Sequence, residues 1–490
     1  MTTPRTSPAV RDCLSRVRDL MRARGSPCFL VGGWLRDQLL GRPVTRLNID
    51  LAVPAHALTL SQALPASLHG AFVPLDEAAG CARVVVDTAD GHLELDISDF
   101  RGRTLEEDLA RRDFTINAIA VELEAWLRHP ERPSPLEDPL HGQQALQQRR
   151  LIACFPQTFE ADPVRILRAF RFAADLQLEM AEELPALIRA ATPQLRRVSG
   201  ERLRDELLAI VQTNRAGWAL TQLNDVGALD VLLPELAPGR DMDQGPFHHL
   251  DVLGHQLETV AQGDRIMADF AEFSADLREP LMRYMAVEPV EHRSRKALVK
   301  LAGLLHDVGK PGTRRIKPDG DIWFLGHEQF GAELVESVTT RLRLSNREAE
   351  MIRRLVLYHL RPGHLSREAT LTRRAIFRFF RDLEDDGPAC VITWWIDRMA
   401  TRGPGSHLDQ IDQQRGRAEE LLRAYFFKPE EAVRPPKLLD GHELMRALQL
   451  SPGPLVGELL RAIEEAQAEG AIRSKDEALS MARDLLRARP

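Results

Sequence analysis

Asparagine and aspartate side chains on two short apolar runs supply the first candidate chemistry. Asn48 and Asp50 alternate within NIDLAV, so their side chains share one face of a predicted strand. Asp96 lies in a second strand-like run, HLELDIS. Carboxylate and amide oxygens are ligands that Mg²⁺ prefers, and paired Mg²⁺ ions align an attacking hydroxyl with an α-phosphate. Taken singly, each residue is better explained as a solvated polar residue at a strand end.

A glycine pair precedes these polar residues. Gly32 and Gly33 follow the apolar run CFLV and precede the helical pattern WLRDQLL. Where a strand turns into a helix, glycines let backbone N–H groups and the helix N-terminus approach a phosphate. The pair alone is weak evidence, but beside Asp50 it favours a phosphate-binding turn.

Histidine and aspartate residues recur on helical patterns in the second half of the chain. These residues are His255, His306, Asp307, His327, His359 and Asp397. Imidazoles and carboxylates on successive helices can converge on a metal ion inside a helical bundle. Burial of Asp307 in the apolar run LAGLLHDVGK would be costly without a metal or a partner. The sequence therefore predicts a second metal site.

The elements that must position these residues fall into two classes. Residues from about 27 to 122 alternate β-like runs with helical stretches, and the runs are PCFLVGG, NIDLAV, AFVPL, ARVVVD and HLELDIS. From Leu151 onward, amphipathic helical patterns rich in Leu, Ala and Arg replace the strand patterns. This organisation predicts a small α+β head followed by an all-α remainder.

Composition narrows the classes of protein. The 490 residues are 44% hydrophobic and 28% charged, which suffices for several separate cores. The formal net charge of -7 argues against coating nucleic acid by bulk charge, so an RNA contact needs local basic patches. Five dispersed cysteines without a CxxC pair favour a reducing cytoplasm. No signal-peptide core and no apolar run of about 18 residues occur, so no membrane partner is expected.

Further motifs follow in a fixed order, namely DLARRDFTINAIA (108–120), DPLHG (138–142), ADPVRILRAFRFA (161–173) and SGERLRDEL (199–207). With the glycine pair and the acidic run, this set resembles the class II tRNA nucleotidyltransferases, the CCA-adding enzymes, and the related bacterial poly(A) polymerases. Separate motifs in the right order rarely arise by chance. The resemblance covers nearly the whole chain and implies a polymerase-β-like nucleotidyltransferase head followed by an all-α neck, an HD body and a helical tail.

The resemblance also implies domain limits. These are a nucleotidyltransferase head at 1–145, a neck for base selection and tRNA contact at 146–225, an HD metal-dependent phosphohydrolase-like body at 226–425 and a C-terminal helical tail at 426–490. The histidines and aspartates above match the H…HD…H…H…D order of the HD superfamily. Many relatives use this domain as a phosphatase and 2′,3′-cyclic phosphodiesterase, with a divalent transition metal such as Ni²⁺, Mn²⁺ or Co²⁺, or with Mg²⁺. A degenerate HD fold kept for tRNA docking is the alternative.

Residue roles in the head follow from the same resemblance. The family's GGxxRD is matched by Gly32, Gly33, Arg36 and Asp37, and its metal-binding DxD by Asn48 and Asp50. Asp50, Asp96 and Asn48 are therefore the expected catalytic Mg²⁺ ligands. The expected nucleotide-binding residues are Gly32, Gly33, Arg36, Arg112, Asp113, Asn117, Asp162, Arg165, Arg168 and Arg171.

Within that set, Asp162 and Arg165 match the element by which amino acids, in place of a template, select the incoming base. Their spacing of one helical turn predicts a shared helix face. Ionised Asp162 would accept from an exocyclic amino group and Arg165 would donate to ring acceptors, a pattern that suits cytosine and adenine. A helix cap with a surface salt bridge is the plainer interpretation.

Asn48 departs from the family pattern, because its amide brings no negative charge where the family carries Asp. A tolerated variant helped by Asp96, a substitution that traps substrates and a head that only binds RNA are all compatible with the sequence. The expected function is addition or repair of the tRNA CCA terminus from CTP and ATP. Enzymes that add only CC or only A, and poly(A) polymerases, share the head motifs. A phosphohydrolase with an inactive RNA-binding head is a further alternative.

Overall fold

The computed structural model describes residues 6–43, 47–130, 135–290, 293–368, 370–406, 408–433 and 436–488. The chain divides into two compact units, Met1–Arg197 and Val198–Pro490. Among the described residues, no helix combines the length and apolar character needed to cross a membrane.

A six-stranded sheet forms the base of the first unit, with strand order β3-β4-β5-β2-β1-β6. The strands are β1 (Phe29–Val31), β2 (Leu47–Val53), β3 (Ala71–Asp76), β4 (Cys81–Thr88), β5 (Gly91–Asp99) and β6 (Ala120–Glu122). Strands β2 and β5 are parallel, and the other neighbouring pairs are antiparallel. All five predicted β runs form strands, and β6 is an additional strand that the sequence pattern did not single out.

Alternation along β5 decides which face of the sheet is polar. Leu93, Leu95 and Ile97 are fully buried, whereas Glu94 and Asp96 between them remain partly exposed. One face therefore packs in the core, and the other presents carboxylates.

The helices of the first unit are α1 (Pro8–Ala23), α2 (Gly32–Leu39), α3 (Ala57–Ala63), α4 (Pro65–Leu68), α5 (Leu105–Ala110), α6 (Leu123–Arg128), α7 (Gly142–Gln147), α8 (Thr158–Ala161), α9 (Arg165–Asp175) and α10 (Leu184–Ala191). A short parallel pair, β7 (Arg150–Leu151) and β8 (Glu179–Met180), joins the segments around α9.

The second unit is helical apart from the antiparallel pair β9 (Arg315–Ile316) and β10 (Ile322–Trp323). Its helices are α11 (Gly200–Gln212), α12 (Ala216–Asp225), α13 (Ala228–Leu232), α14 (Val252–Ile266), α15 (Ala275–Ala286), α16 (Arg295–Leu305), α17 (Lys310–Thr313), α18 (His327–Arg341), α19 (Asn346–Tyr358), α20 (Arg361–Ser366), α21 (Arg373–Leu383), α22 (Gly387–Ala400), α23 (Ile411–Phe427), α24 (Gly441–Leu448), α25 (Pro454–Glu469) and α26 (Lys475–Arg487). The all-α expectation for the remainder is thus confirmed, with β7 to β10 as short interruptions.

Helices α14, α16, α19 and α22 form the centre of the second unit. Helix α16 packs against α14, α19 and α22, and α14 also packs against α22. Every residue of α16 except Lys296 is buried, as expected for a helix that is apolar on nearly all sides. This central group positions the predicted histidines and aspartates except His327, which begins α18, a helix packed against α19.

Candidate active site and candidate metal centre

The predicted carboxylates of the head lie on neighbouring strands. In the parallel register of β2 and β5, Asp50 stands beside Asp96, and Asn48 stands beside Glu94. Asn48 Nδ2 donates to Glu94 Oε2 at 2.9 Å and to Asp96 Oδ2 at 3.4 Å. The structure therefore brings together the three residues expected to hold Mg²⁺ and adds Glu94 to them.

Arg83 on β4 is a cation on this same face, opposite Asp96 in the antiparallel register. Its Nε and Nη2 donate to Asp96 Oδ1 and Oδ2 at 2.7 and 2.9 Å. Its Nη1 lies 2.9 Å from Glu94 Oε1. Sequence reasoning missed both Arg83 and Glu94. Strand alternation in ARVVVD and HLELDIS gives their faces, but only the cross-strand register makes them neighbours.

The turn between β1 and α2 contacts Asp50. Gly32 has φ +77°, in the left-handed region that favours glycine, and a Cβ there would collide with the Asp50 carboxylate. The Gly33 N–H donates to Asp50. Burial raises the pKa of Asp50, Arg112 opposes this rise, and the neighbouring Asp96 adds to it. A desolvated carboxylate beside another one is a position that a cation stabilises.

Asp113 is the centre of a buried polar network in the head. Arg168 Nε and Nη2 donate to Asp113 Oδ2 at 2.9 and 2.7 Å, and Asn117 Nδ2 donates to Oδ1 at 3.1 Å. Asn117 Oδ1 in turn accepts from Arg36 Nη1 at 2.7 Å. Burial acts to raise the pKa of Asp113, but Arg168 and Asn117 hold it well below its usual range. Four predicted nucleotide-binding residues thus form one connected network.

Arg112 is held by a different carboxylate. Its Nε and Nη2 donate to Asp108 Oδ2 at 3.0 and 2.9 Å, and both side chains are buried. Asp108 was not among the predicted site residues, although its spacing of four residues from Arg112 is the usual signal for such a helical pair.

Three of the predicted arginines lie around the ring of Phe172. The guanidinium carbons of Arg36, Arg168 and Arg171 lie 5.1, 5.3 and 4.3 Å from the centre of its ring. Arginine over an aromatic face is held by the ring quadrupole. Three of the predicted nucleotide-binding arginines therefore surround one aromatic side chain.

The predicted shared helix face of Asp162 and Arg165 is wrong. Asp162 caps the C-terminus of α8 in an extended conformation, and α9 begins only at Arg165. Pro163 lies between them, and the residue before a proline is driven out of the helical region. Arg165 donates to Thr158 Oγ1 at 2.9 Å and to the carbonyl oxygen of Arg111 at 3.3 Å.

The six predicted ligands of the second unit converge. Their positions are His255 within α14, His306 and Asp307 directly after α16, His327 at the start of α18, His359 directly after α19 and Asp397 near the end of α22. Five of them form two groups that share Asp307, and Asp397 contacts His255 and His306 of the first group.

One group gathers at Asp307 Oδ2. His306 Nε2 lies 3.0 Å from this oxygen and His255 Nε2 lies 3.7 Å from it. Asp397 Oδ1 lies 2.9 Å from His255 Nε2 and 3.5 Å from His306 Nε2. Two imidazoles and two carboxylates thus face one another.

The other group gathers at Asp307 Oδ1. His327 Nε2 lies 3.3 Å and His359 Nε2 lies 3.9 Å from this oxygen, and the two imidazole nitrogens are 3.4 Å apart. Ligand atoms lie within 4.8 Å of one another in two sets, which are His255, His306 and Asp307, and Asp307, His327 and His359. One carboxylate therefore serves both groups, with a different oxygen for each.

Backbone carbonyl groups orient three of these imidazoles. The Nδ1 atom lies 2.8 Å from a carbonyl oxygen in His306, and 2.7 Å from one in both His327 and His359. Donation from Nδ1 directs Nε2 into the cluster, where the neutral imidazole would offer its lone pair to a metal ion.

The charges of the cluster fit a cation. His306 is 1% exposed, and burial alone would lower its pKa, but Asp307 and Asp397 raise the pKa of His306 to about 10. Lys310 Nζ lies 2.6 Å from Asp307 Oδ2 and donates to Gln244 Oε1 at 2.7 Å. His306 Nε2 and Asp307 Oδ2 are buried and make ion-pair contacts, but neither makes a well-aligned hydrogen bond to a described residue. Buried ligand atoms without a well-aligned hydrogen bond fit a metal site. Lys310 and Gln244 were not predicted as ligands.

Comparisons with known proteins match domain families to the regions that contain the two candidate sites. The model of the Poly A polymerase head domain matches residues 28–152, and that of the HD domain matches 252–397. Models for an RNA- and SrmB-binding site of polymerase A and for tRNA nucleotidyltransferase domain 2 match 177–239 and 417–482.

Curated relatives extend the match to almost the full chain. The chain is 36% identical to the A-adding tRNA nucleotidyltransferase of Deinococcus radiodurans, over 92% of this chain and 93% of that protein. It is 34% identical to the CC-adding tRNA nucleotidyltransferase of Thermus thermophilus, over 92% of each. The solved Bacillus stearothermophilus CCA-adding enzyme in complex with CTP has the same fold, with a TM-score of 0.64, 20% identity and 98% coverage of both chains. The chain therefore belongs to the family of tRNA nucleotidyltransferases and bacterial poly(A) polymerases, and it carries an HD domain.

Proposed function

We propose that the head transfers nucleotides from CTP and ATP to the 3′ end of tRNA and so adds or repairs the CCA terminus. The observation that carries this proposal is the parallel register that sets Asp50 beside Asp96, next to the Gly32-Gly33 turn. Relatives named A-adding, CC-adding and CCA-adding enzymes support the tRNA end as the acceptor.

Asp50 and Asp96 are the residues that would hold Mg²⁺, with Asn48 as a neutral third ligand. Bound Mg²⁺ supplies charge neutralisation at the α-phosphate and at the departing pyrophosphate, which favours attack by the RNA 3′-hydroxyl. The Gly33 N–H holds the Asp50 carboxylate in place, and Gly32 leaves room for it because it has no side chain.

The buried network around Asp113 is proposed to present the nucleotide site. The residues of the proposed nucleotide site are Gly32, Gly33, Arg36, Arg112, Asp113, Asn117, Arg168 and Arg171. Carboxylates and Phe172 fix the arginine side chains before a ligand arrives, so little rotamer entropy is lost when a triphosphate binds. Guanidinium groups are well suited to phosphate oxygens.

Base choice is assigned to Asp162 and Arg165. Asp162 ends α8 and Arg165 begins α9, so they would approach a base from two successive short helices. Because Thr158 and a backbone carbonyl already hold the Arg165 guanidinium, the donor that faces the ring acceptors of cytosine or adenine would be fixed in place.

Primer extension tests the head. Three tRNA transcripts that end before, within and after CC are incubated with Mg²⁺ and labelled CTP or ATP, and the 3′ ends are sequenced. A CCA product supports the proposal, with Asp50→Asn as the inactive control. Addition of only CC or only A would place the chain with the Thermus or the Deinococcus relative, and an A-tail would indicate a poly(A) polymerase.

We further propose that the HD body is a metal-dependent phosphohydrolase. The supporting observation is Asp307, whose two oxygens face two separate imidazole groups. This arrangement would hold two ions through one shared carboxylate, with His255, His306 and Asp397 on one side and His327 and His359 on the other. Nitrogen-rich ligand sets favour Mn²⁺, Co²⁺ or Ni²⁺ over Mg²⁺. Lys310, beside Asp307, is placed to contact a phosphate oxygen.

Metal-dependent phosphate release tests the HD body. Chelated and reloaded protein is compared on 2′,3′-cyclic and 2′-phosphorylated nucleotides, with Asp307→Asn as the inactive variant and His442→Ala, an exposed histidine outside the cluster, as the control. Turnover that requires metal and Asp307 supports the proposal. Absence of turnover with every metal would leave tRNA docking as the role of this domain.

Asn48 and Arg83 together favour one competing function. Both reduce the negative charge of the catalytic face, so a head that binds RNA without transferring nucleotides is the second candidate. Phosphate release by the HD body with no nucleotide incorporation would establish it.

Domain limits and location complete the proposal. We retain the head at 1–145, the neck at 146–225, the HD body at 226–425 and the tail at 426–490. We place the protein in the reducing cytoplasm, which the five free cysteines support.

A further inference from the structure

Arg83 occupies an unusual place for a cation. Its guanidinium contacts both oxygens of Asp96 and one oxygen of Glu94, at 2.7 to 2.9 Å. Asp96 is one of the residues proposed to hold Mg²⁺. A side chain with a permanent positive charge therefore already covers a carboxylate that a divalent ion would need.

We propose that Arg83 is a built-in competitor of the divalent ions for Asp96 and so sets the metal affinity of the head. This inference rests on the proposed nucleotidyltransferase function and names a positioning residue for it. Binding of an ion at Asp96 would require at least one Arg83 hydrogen bond to lengthen. Glu94 offers the displaced guanidinium a second carboxylate, because Arg83 Nη1 already lies 2.9 Å from Glu94 Oε1.

Charge and geometry both support this competition. The guanidinium stays protonated at every working pH, and it offsets one of the three carboxylate charges of Asp50, Glu94 and Asp96. A metal ion beside Asp96 would face that charge at short range and gain less from the carboxylate. Asn48 strengthens the effect, since its Nδ2 donates to Glu94 and Asp96 and its side chain adds no charge.

Arg83 is accessible enough to move. Its side chain retains 28% of its exposure, compared with 17% for Asp96. A partly exposed bidentate pair can open without leaving a buried charge unpaired, in contrast to the buried Arg112 and Asp108 pair, whose side chains are 9% and 1% exposed.

Binding of Mn²⁺ to the full-length protein, followed by electron paramagnetic resonance of the free ion, tests the proposal without catalysis. The Mn²⁺ bound by the head is defined as the bound Mn²⁺ that is lost in Asp50→Asn. Arg83→Gln should raise the affinity of the head for Mn²⁺ about tenfold, because a competing charge is lost. Arg83→Lys keeps the charge and should raise this affinity less. Arg16→Gln, which breaks an exposed pair with Asp12, is the matched control and should change nothing.

The outcomes separate two kinds of failure. Tighter Mn²⁺ binding in Arg83→Gln but not in Arg16→Gln supports the competition. Unchanged or weaker binding in Arg83→Gln overturns it, as does a loss of metal-free CTP binding, which would make Arg83 a triphosphate ligand. If Asp50→Asn removes no Mn²⁺ at all, the metal role of the head fails together with the inference.

Discussion

In the head, the candidate metal ligands are oxygens on a partly exposed sheet face, and Arg83 is hydrogen-bonded to one of them. In the second unit, they are mostly imidazole nitrogens inside a helical core, with tautomers fixed by backbone carbonyls. The open face suits ions that arrive with a triphosphate and leave with pyrophosphate. The buried cluster suits ions that stay bound. The two proposed sites therefore differ in that the first is suited to exchange of ions and the second to their retention.

The largest effect on the difference between the two sites is expected from Asp50→Asn. The substitution keeps the shape but removes the charge beside Asp96, so nucleotide incorporation into tRNA should fall by about 10³-fold or more, while HD turnover stays unchanged. Single-turnover incorporation measures the effect, and Asp90→Asn in the exposed turn between β4 and β5 is the control. Residual incorporation above a tenth of the wild-type rate would contradict the assignment.

The converse substitution is Asp307→Asn. One residue serves both imidazole groups, so its loss should reduce metal-dependent phosphate release by about 10²-fold or more and leave incorporation within about twofold. Metal content by mass spectrometry should fall in parallel. If incorporation falls as far as phosphate release, the two sites are not independent.

A smaller effect is expected from Arg165→Ala, which concerns the choice of nucleotide by the first of the two proposed sites. Loss of a fixed donor should reduce the preference for CTP and ATP over UTP and GTP by about tenfold. Competition between labelled nucleotides gives the ratio. An unchanged ratio with a reduced overall rate would show that Arg165 only supports the fold around Thr158.

The smallest effect, an increase of about threefold to tenfold in incorporation at saturating Mg²⁺, is expected for Asn48→Asp. The new carboxylate adds charge for the metal but can no longer donate to Glu94 and Asp96. Without metal it should therefore lower the melting temperature, because the new carboxylate would join those of Asp50, Glu94 and Asp96. An equal or lower rate at all Mg²⁺ concentrations would show that Asn48 does not limit nucleotide transfer.

Local patterns predicted the scaffold well. Alternating apolar residues identified five strands, and the Gly32-Gly33 pair marked the turn that Asp50 contacts. The His and Asp residues predicted the buried cluster, because side chains on the successive helices of a bundle can converge inward on one site. These features depend on spacing along a single element.

Features that depend on pairing between elements were not predictable. Arg83 and Glu94 meet Asp96 and Asn48 only through the register of three strands. The division of the cluster into two groups depends on which oxygen of Asp307 faces which helix end. Asp162 and Arg165 were misplaced for a different reason, because helical spacing was assumed across Pro163, where the helix has not yet begun.

The most direct test of the central claim is the location of Mn²⁺ by anomalous X-ray scattering in crystals soaked with Mn²⁺ and CTP. The account predicts an anomalous peak between the Asp50 and Asp96 carboxylates, with the CTP triphosphate beside it and the Arg83 guanidinium shifted toward Glu94. Peaks confined to the histidine cluster, with no ion and no triphosphate at Asp50, would contradict it.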